Sequence, residues 1–158
     1  MKAADNYEND RLNPGDAFDF YGVCELEKDG RRLAWIWTRG SVSGRTLHMA
    51  QLKGKGLANV ALRSGSLIYC DRSLAETERE RLRNEDPVML AEQLRAAAAV
   101  TIKKNGKATG VFMAGSREER SFTEEELRNV QQLASYIEEQ WRTEEKRREQ
   151  GDDQASNR

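Results

Sequence analysis

The residues best placed to recognise a ligand lie in the run Lys53-Gly54-Lys55-Gly56-Leu57-Ala58-Asn59-Val60. Two glycines flank one lysine, and an apolar stretch follows at once, as at a loop that opens a short helix. The first amides of a helix have no intrahelical acceptor and lie at the positive end of its dipole. Such an end can hold a small anion by backbone alone, and glycine lets that backbone approach closely. Lys53 and Lys55 add positive charge, while the amides of Leu57 and Ala58 are the candidate donors. Trp35, on a strand upstream, offers an indole N–H that donates and never accepts. Trp37 falls at the same parity and reads as core.

Other chemistries lack their residues. Cys24 and Cys70 are too few for a disulfide framework. His48 is the one histidine, and no Cys or Asp pair stands at metal-ligand spacing, so no metal and no cofactor are expected. Asp71, Glu85 and Asp86 fall in an ordinary charged helical stretch rather than as carboxylates flanking a cleft. No Ser-His-Asp order with an elbow motif is present. No catalytic residue is assigned.

Composition narrows the partners. The 158 residues suit one domain, and 26 Lys plus Arg against 27 Asp plus Glu leave a net charge of -1. A nucleic-acid binder would show a basic excess, which is missing. No apolar run approaches membrane-spanning length, and the N-terminus carries no apolar signal core. The expectation is a cytoplasmic chain with no nucleic-acid and no membrane partner.

Alternation predicts a strand over 18–27, with Asp29-Gly30 turning into a return strand that carries Leu33, Trp35 and Trp37. A third strand is expected over 46–52, then the glycine loop and short helix, then a strand at 67–70. Residues 73–95 read as helical, interrupted at Asp86-Pro87 because the residue before proline is biased away from helix. Asn105-Gly106 joins two strands as a hairpin. Thr123 and Glu126 form a capping box for a helix whose seam is Leu127, Val130, Ala134, Ile137 and Trp141. Runs of strands with inserted helices imply an α+β fold on an antiparallel sheet. The terminal helix would cover one face, and the short helices would roof a pocket on the other. The expected divisions are a polar arm over 1–16, the domain over 17–141, and a charged, disordered tail over 142–158.

This order resembles the GAF domain family. Gly54-Lys55-Gly56-Leu57-Ala58 and Arg63-Ser64-Gly65 are similar to its glycine turn, short helix and second turn. Ala97–Ile102, Asn105-Gly106 and Gly110-Val111-Phe112 resemble its closing hairpin, and Phe122–Leu127 the start of its terminal helix. Within the family the closer resemblance is to stand-alone members that act as nitrate receptors beside an oxygen-sensing histidine kinase. That resemblance implies ligand-binding positions at Trp35, Leu57, Ala58, Pro87 and Val88. Asp86 departs from it, since that group carries an aromatic residue there, and a carboxylate repels an anion unless protonated or turned outward. The implied function is non-enzymatic: a sensor of a small anion such as nitrate, or of a polar metabolite, signalling to a separate histidine kinase. A homodimer is a further partner, with Trp141 at a partner contact.

Two alternatives stay open. One is a redox enzyme resembling free methionine-(R)-sulfoxide reductase, another GAF protein. Its thiols fall at Ala58 and near Leu90, neither of which is cysteine here, and thiol exchange needs a thiolate and a resolving thiol. The other is a dimerisation module whose pocket is filled and vestigial.

Overall fold

The computed structural model describes residues 15, 17–52 and 54–156, with side chains as far as residue 147. Residues 1–14 and 16 of the expected arm, Lys53 with its expected pull on an anion, and residues 157–158 lie outside the described residues.

Among the described residues six strands form one antiparallel sheet: β1 (Phe20–Leu26), β2 (Arg32–Arg39), β3 (Ala50–Leu52), β4 (Ile68–Cys70), β5 (Ala96–Lys104) and β6 (Lys107–Ser116). Their spatial order is β3-β2-β1-β6-β5-β4. The helices are α1 (Leu57–Ser64), α2 (Glu76–Glu85), α3 (Pro87–Ala91) and α4 (Glu124–Ser156). The fold is the expected α+β arrangement. Asn105 and Gly106 both take positive φ, +53° and +78°. That pair of left-handed residues lets a two-residue turn follow the twist of β5 and β6. The capping box is present: Glu126 N donates to Thr123 Oγ1 and Thr123 N to Glu126 Oε1, each at 3.0 Å.

The sheet separates two apolar layers. On one face α4 packs Val130, Ala134, Ile137 and Trp141 against Tyr21, Val23, Trp37 and Phe112. On the other, α1 and α3 pack Leu57, Ala58, Ala61, Val88 and Met89 against Phe20, Cys24, Leu33, Trp35 and Met113.

Three local expectations change. The strand expected over 46–52 begins as a 3-10 turn over Thr46–His48, and only Ala50–Leu52 pairs with β2. Its start is decided by a tertiary bond, Thr46 Oγ1 to the buried Glu92 carboxylate at 2.6 Å. Trp35 and Trp37 do not share a face. The register with β1 pairs Val23 with Trp37 and Cys24 with Trp35, leaving Ile36 as a bulge. One extra residue reverses the side-chain alternation, so Trp35 faces α1 while Trp37 faces α4. Finally, α4 does not stop near Trp141, where a disordered tail was expected to begin, but continues to Ser156. The residues beyond Trp141 are mostly Glu, Lys, Arg and Gln, all good helix formers. Lys104 on the sheet also reaches Glu145 at 3.8 Å.

Trp141 itself is core, only 5% exposed, rather than a partner contact. Its ring lies on Gly110, where a Cβ would come 2.7 Å from the indole and 2.5 Å from the Cys24 carbonyl. Trp141→Ala is therefore expected to cost about 3–5 kcal/mol, and Gly110→Ala about 1–3 kcal/mol by overpacking. Because the two residues compete for one space, the double variant should be more stable than the sum of the single losses. Urea unfolding of the four chains measures this. A loss below about 1 kcal/mol for Trp141→Ala would mean the ring is not a core element.

Candidate functional site

The start of α1 faces the second layer of the core. Gly56 precedes the helix with φ +102°, a conformation open to glycine and strained for other residues. This brings backbone against two side chains: a Cβ on Gly56 would lie 3.4 Å from Gln51 Nε2 and 3.5 Å from Asp86 Oδ2. Leu57, Ala58 and Asn59 follow, all buried.

The first amide of the helix already has an anion. Leu57 N donates to Asp86 Oδ2 at 2.8 Å. The other oxygen, Oδ1, accepts from Val88 N at 2.9 Å and Met89 N at 3.0 Å. Asp86 is thus the N-cap of α3 and the occupant of the α1 end at once. Its neighbour Pro87 takes the first helical position, where a missing N–H costs nothing. The carboxylate is fully buried. Burial raises its pKa above the ordinary carboxylate value, and the three amides from Leu57, Met89 and Val88 oppose that rise.

Trp35 lies 1% exposed in the same layer, its ring against Gly22, where a Cβ would be 2.8 Å from Cζ3. Its indole N–H donates to Gln51 Oε1 at 2.7 Å. The donor foreseen for a ligand is therefore held by a side chain on β3. Gln51 is 7% exposed and turns its Nε2 toward Gly56.

Of the residues read as ligand-binding, Trp35, Leu57, Ala58 and Val88 come together in one buried cluster. Pro87 is half-buried at the head of α3, outside that cluster. Lys55 points outward, its side chain 74% exposed and 3.9 Å from Glu85. His48 lies exposed on the 3-10 turn. Among the described residues, no group of three His, Cys, Asp or Glu side chains is arranged to hold a metal. Both thiols are buried and free. Burial pushes the Cys24 thiol far above its ordinary value and Cys70 up to about 11, which disfavours the thiolate.

Sequence reasoning read Asp86 as part of an ordinary charged stretch, not as the N-cap it is, and missed Gln51 and Glu92. For Asp86 a signal existed: Asp followed by Pro is an N-cap followed by N1. For Gln51 none did, because its bond to Trp35 spans 16 residues. Glu92 is fully buried and accepts from Ser41 Oγ, Val42 N and Thr46 Oγ1, with Arg117 at 3.2 Å. It fastens the loop after β2 across the sheet end.

Asp86→Asn sets an amide NH2 or a single acceptor against donors on both sides. It should cost about 1–3 kcal/mol for one stranded buried amide. The pH dependence has a definite sign. With the folded pKa raised, the native state holds the proton more tightly than the unfolded chain. That contribution is complete below the unfolded pKa and is lost as pH rises through the folded pKa. The stability gap between native chain and Asp86→Asn should narrow as pH rises above the ordinary carboxylate value of 3.8, then level off. Urea midpoints from acid to neutral pH measure it. A gap that widens with pH would mean the amides outweigh burial.

Comparison with known proteins agrees with the fold. The GAF domain model matches residues 11–139. No curated protein sequence matches the chain. Among solved structures, an NreA protein of Staphylococcus aureus mutated in its nitrate binding site is 24% identical, with a TM-score of 0.57, covering 68% of this chain and 79% of that one. The free methionine-R-sulfoxide reductase of Neisseria meningitidis is 16% identical, with a TM-score of 0.61, covering 87% and 72%. Residues 122 to 287 of a methyl-accepting chemotaxis protein are 15% identical, with a TM-score of 0.65, covering 87% and 82%. At these identities the likeness is one of fold. The family match spans most of the chain, and the six-stranded antiparallel sheet with its terminal helix is the architecture those structures share: the chain belongs to the GAF domain family.

Proposed function

We propose that this chain is a non-enzymatic sensor whose ligand, a small anion such as nitrate or a polar metabolite carrying a carboxylate, competes with Asp86 for the amides at the start of α1. The observation that carries the reading is the 2.8 Å bond from Leu57 N to Asp86 Oδ2. A carboxylate and a nitrate each present two oxygens in a plane to a donor. The chain's own carboxylate therefore occupies the seat in the manner of a ligand. The similarity to NreA, whose nitrate binding site is named for that protein, supports nitrate as the first anion to try. A tethered carboxylate acts at an effective concentration of mM or more. External anion therefore gains only as Asp86 leaves or takes a proton. Freeing Asp86 releases the amides of Val88 and Met89 too, so the roof formed by α3 reports occupancy. The output passes to a separate partner, a histidine kinase in the cytoplasm being the type the nitrate-receptor resemblance implies. No helix among the described residues is long and apolar enough to cross a membrane.

The test is melting temperature in nitrate, nitrite, formate and phosphate, against chloride at matched ionic strength. Asp86→Ala vacates the seat, and nitrate or formate should stabilise that variant by about 2.7 kcal/mol at one hundred times Kd. The native chain should respond less at neutral pH and more as pH falls. If neither chain responds to any of these anions, the anion-sensor reading is lost, and the filled seat then favours the vestigial dimerisation module.

The reductase-like reading is separable. Cys24→Ser with Cys70→Ser should keep whatever anion response the parent has, because neither thiol touches Leu57 N, Val88 N or Met89 N through a hydrogen bond. Turnover of free methionine sulfoxide by the parent, abolished in the double variant, would replace the sensor with an enzyme.

A further inference from the structure

Beside α3 lies a groove of about 420 Å³, lined by Arg83 and Asn84 of α2, Met89 and Leu90 of α3, Gln93, Leu94 and Arg95 of the following loop, and Arg117 after β6. Among the described residues no carboxylate lines it. This is unusual for a chain whose charges balance to -1. The Arg117 guanidinium is spent on Glu92, with Nε on the Glu92 carbonyl at 2.9 Å and NH2 on Oε1 at 3.2 Å. Arg83 and Arg95 are not. Among the described residues neither side chain has an ion-pair or hydrogen-bond partner. Leu90 stands beside them 56% exposed, the turn of α3 opposite buried Met89.

We infer that this groove is a docking surface for an acidic segment of a partner protein, with carboxylates on Arg83 and Arg95 and an apolar side chain on Leu90. Small-molecule sites bury most of their ligand in a concave, largely apolar pocket. Here Asn84, Leu90, Gln93 and Arg95 are exposed, so the surface suits a chain laid across it. Guanidinium groups pair with carboxylates in two-point contacts, and the apolar contact supplies area that charge alone does not. Gln93 takes φ +57°, which ends α3 and turns Leu94 into the core, where its Cδ1 would meet a Cβ on Gly115 at 2.5 Å. The two arginines are thereby held on either side of a fixed corner. The groove needs no anion at α1. Yet its wall, α3, begins at Asp86 and is followed by Glu92, so a rearrangement at either carboxylate would move it.

The probe is a fluorescein-labelled peptide, Glu-Glu-Leu-Glu-Glu-Leu-Glu-Glu, titrated with full-length chain and followed by anisotropy at low and physiological salt. The native chain should bind it, more weakly as salt shortens the reach of charge, and should not bind the same peptide with Lys in place of Glu. Arg83→Glu with Arg95→Glu should weaken binding about tenfold or more, since like charges then face each other. Arg83→Gln with Arg95→Gln gives the same direction should the reversal disturb folding, which circular dichroism reports. Leu90→Ser should weaken binding about threefold or more. The peptide titration uses the native chain without nitrate or formate, and the anion test uses no peptide, so the two tests fail independently. Absence of binding to the native chain, or unchanged binding by both arginine pairs, overturns the inference. Competition by inorganic phosphate at matched ionic strength, with Leu90→Ser unchanged, overturns it in favour of a small-anion site.

Discussion

One buried carboxylate organises the roofed side of this fold. Asp86 has no solvent and three amide donors, one from the head of α1 and two from the head of α3. An unpaired carboxylate in such a place would be forced to neutralise, and unpaired helix-end amides would each forfeit their desolvation cost. Each side of the arrangement removes the penalty of the other. The two helices are consequently fixed to one point, and that point lies where the glycine turn brings backbone against Gln51 and, through it, Trp35.

The same device recurs at the other loops. Asp71 accepts from Ser73 N through Oδ1 at 2.9 Å and from Phe122 N through Oδ2 at 2.8 Å, joining the end of β4 to the approach of α4. Glu92 joins the loop after β2 to the turn after α3, with Arg117 closing the cluster from β6. All three are essentially buried. Loops over a sheet expose backbone donors that no ladder satisfies, and a short acidic side chain can take two or three of them at once. Charge in this chain is therefore of two kinds. Most of it solvates surface helices, as in the Arg81 pairs to Glu78 and Glu85, which contribute little. A few carboxylates act inside as multi-point acceptors.

This has a functional corollary for a GAF domain. The amide at the head of α1 is already taken by a carboxylate attached to the chain. Under the proposed function, response depends on exchange between that carboxylate and an external anion rather than on simple capture. It also separates surfaces by chemistry: backbone amides on the roofed side, guanidinium groups and an exposed leucine beside α3.

The sequence by itself determined the order of elements, the α+β class, the Asn105-Gly106 turn, the capping box at Thr123 and the apolar seam from Val130 to Ile137. Each depends on neighbours within a few residues, where period and local hydrogen bonds decide. It also placed the amides of Leu57 and Ala58 at the head of a helix, and marked Asp86-Pro87 as a break. Tertiary structure alone decided what those groups meet. The bulge at Ile36 depends on the register against β1, and it sent Trp35 and Trp37 to opposite faces although their spacing put them together. The Trp35 bond to Gln51 and the Leu57 bond to Asp86 cross 16 and 29 residues. Trp141 joined the core because Gly110, on another element, leaves room for its ring. In a close-packed interior the partner of a buried group is set by which strands pair and how closely they approach, and no local pattern in the chain encodes that choice.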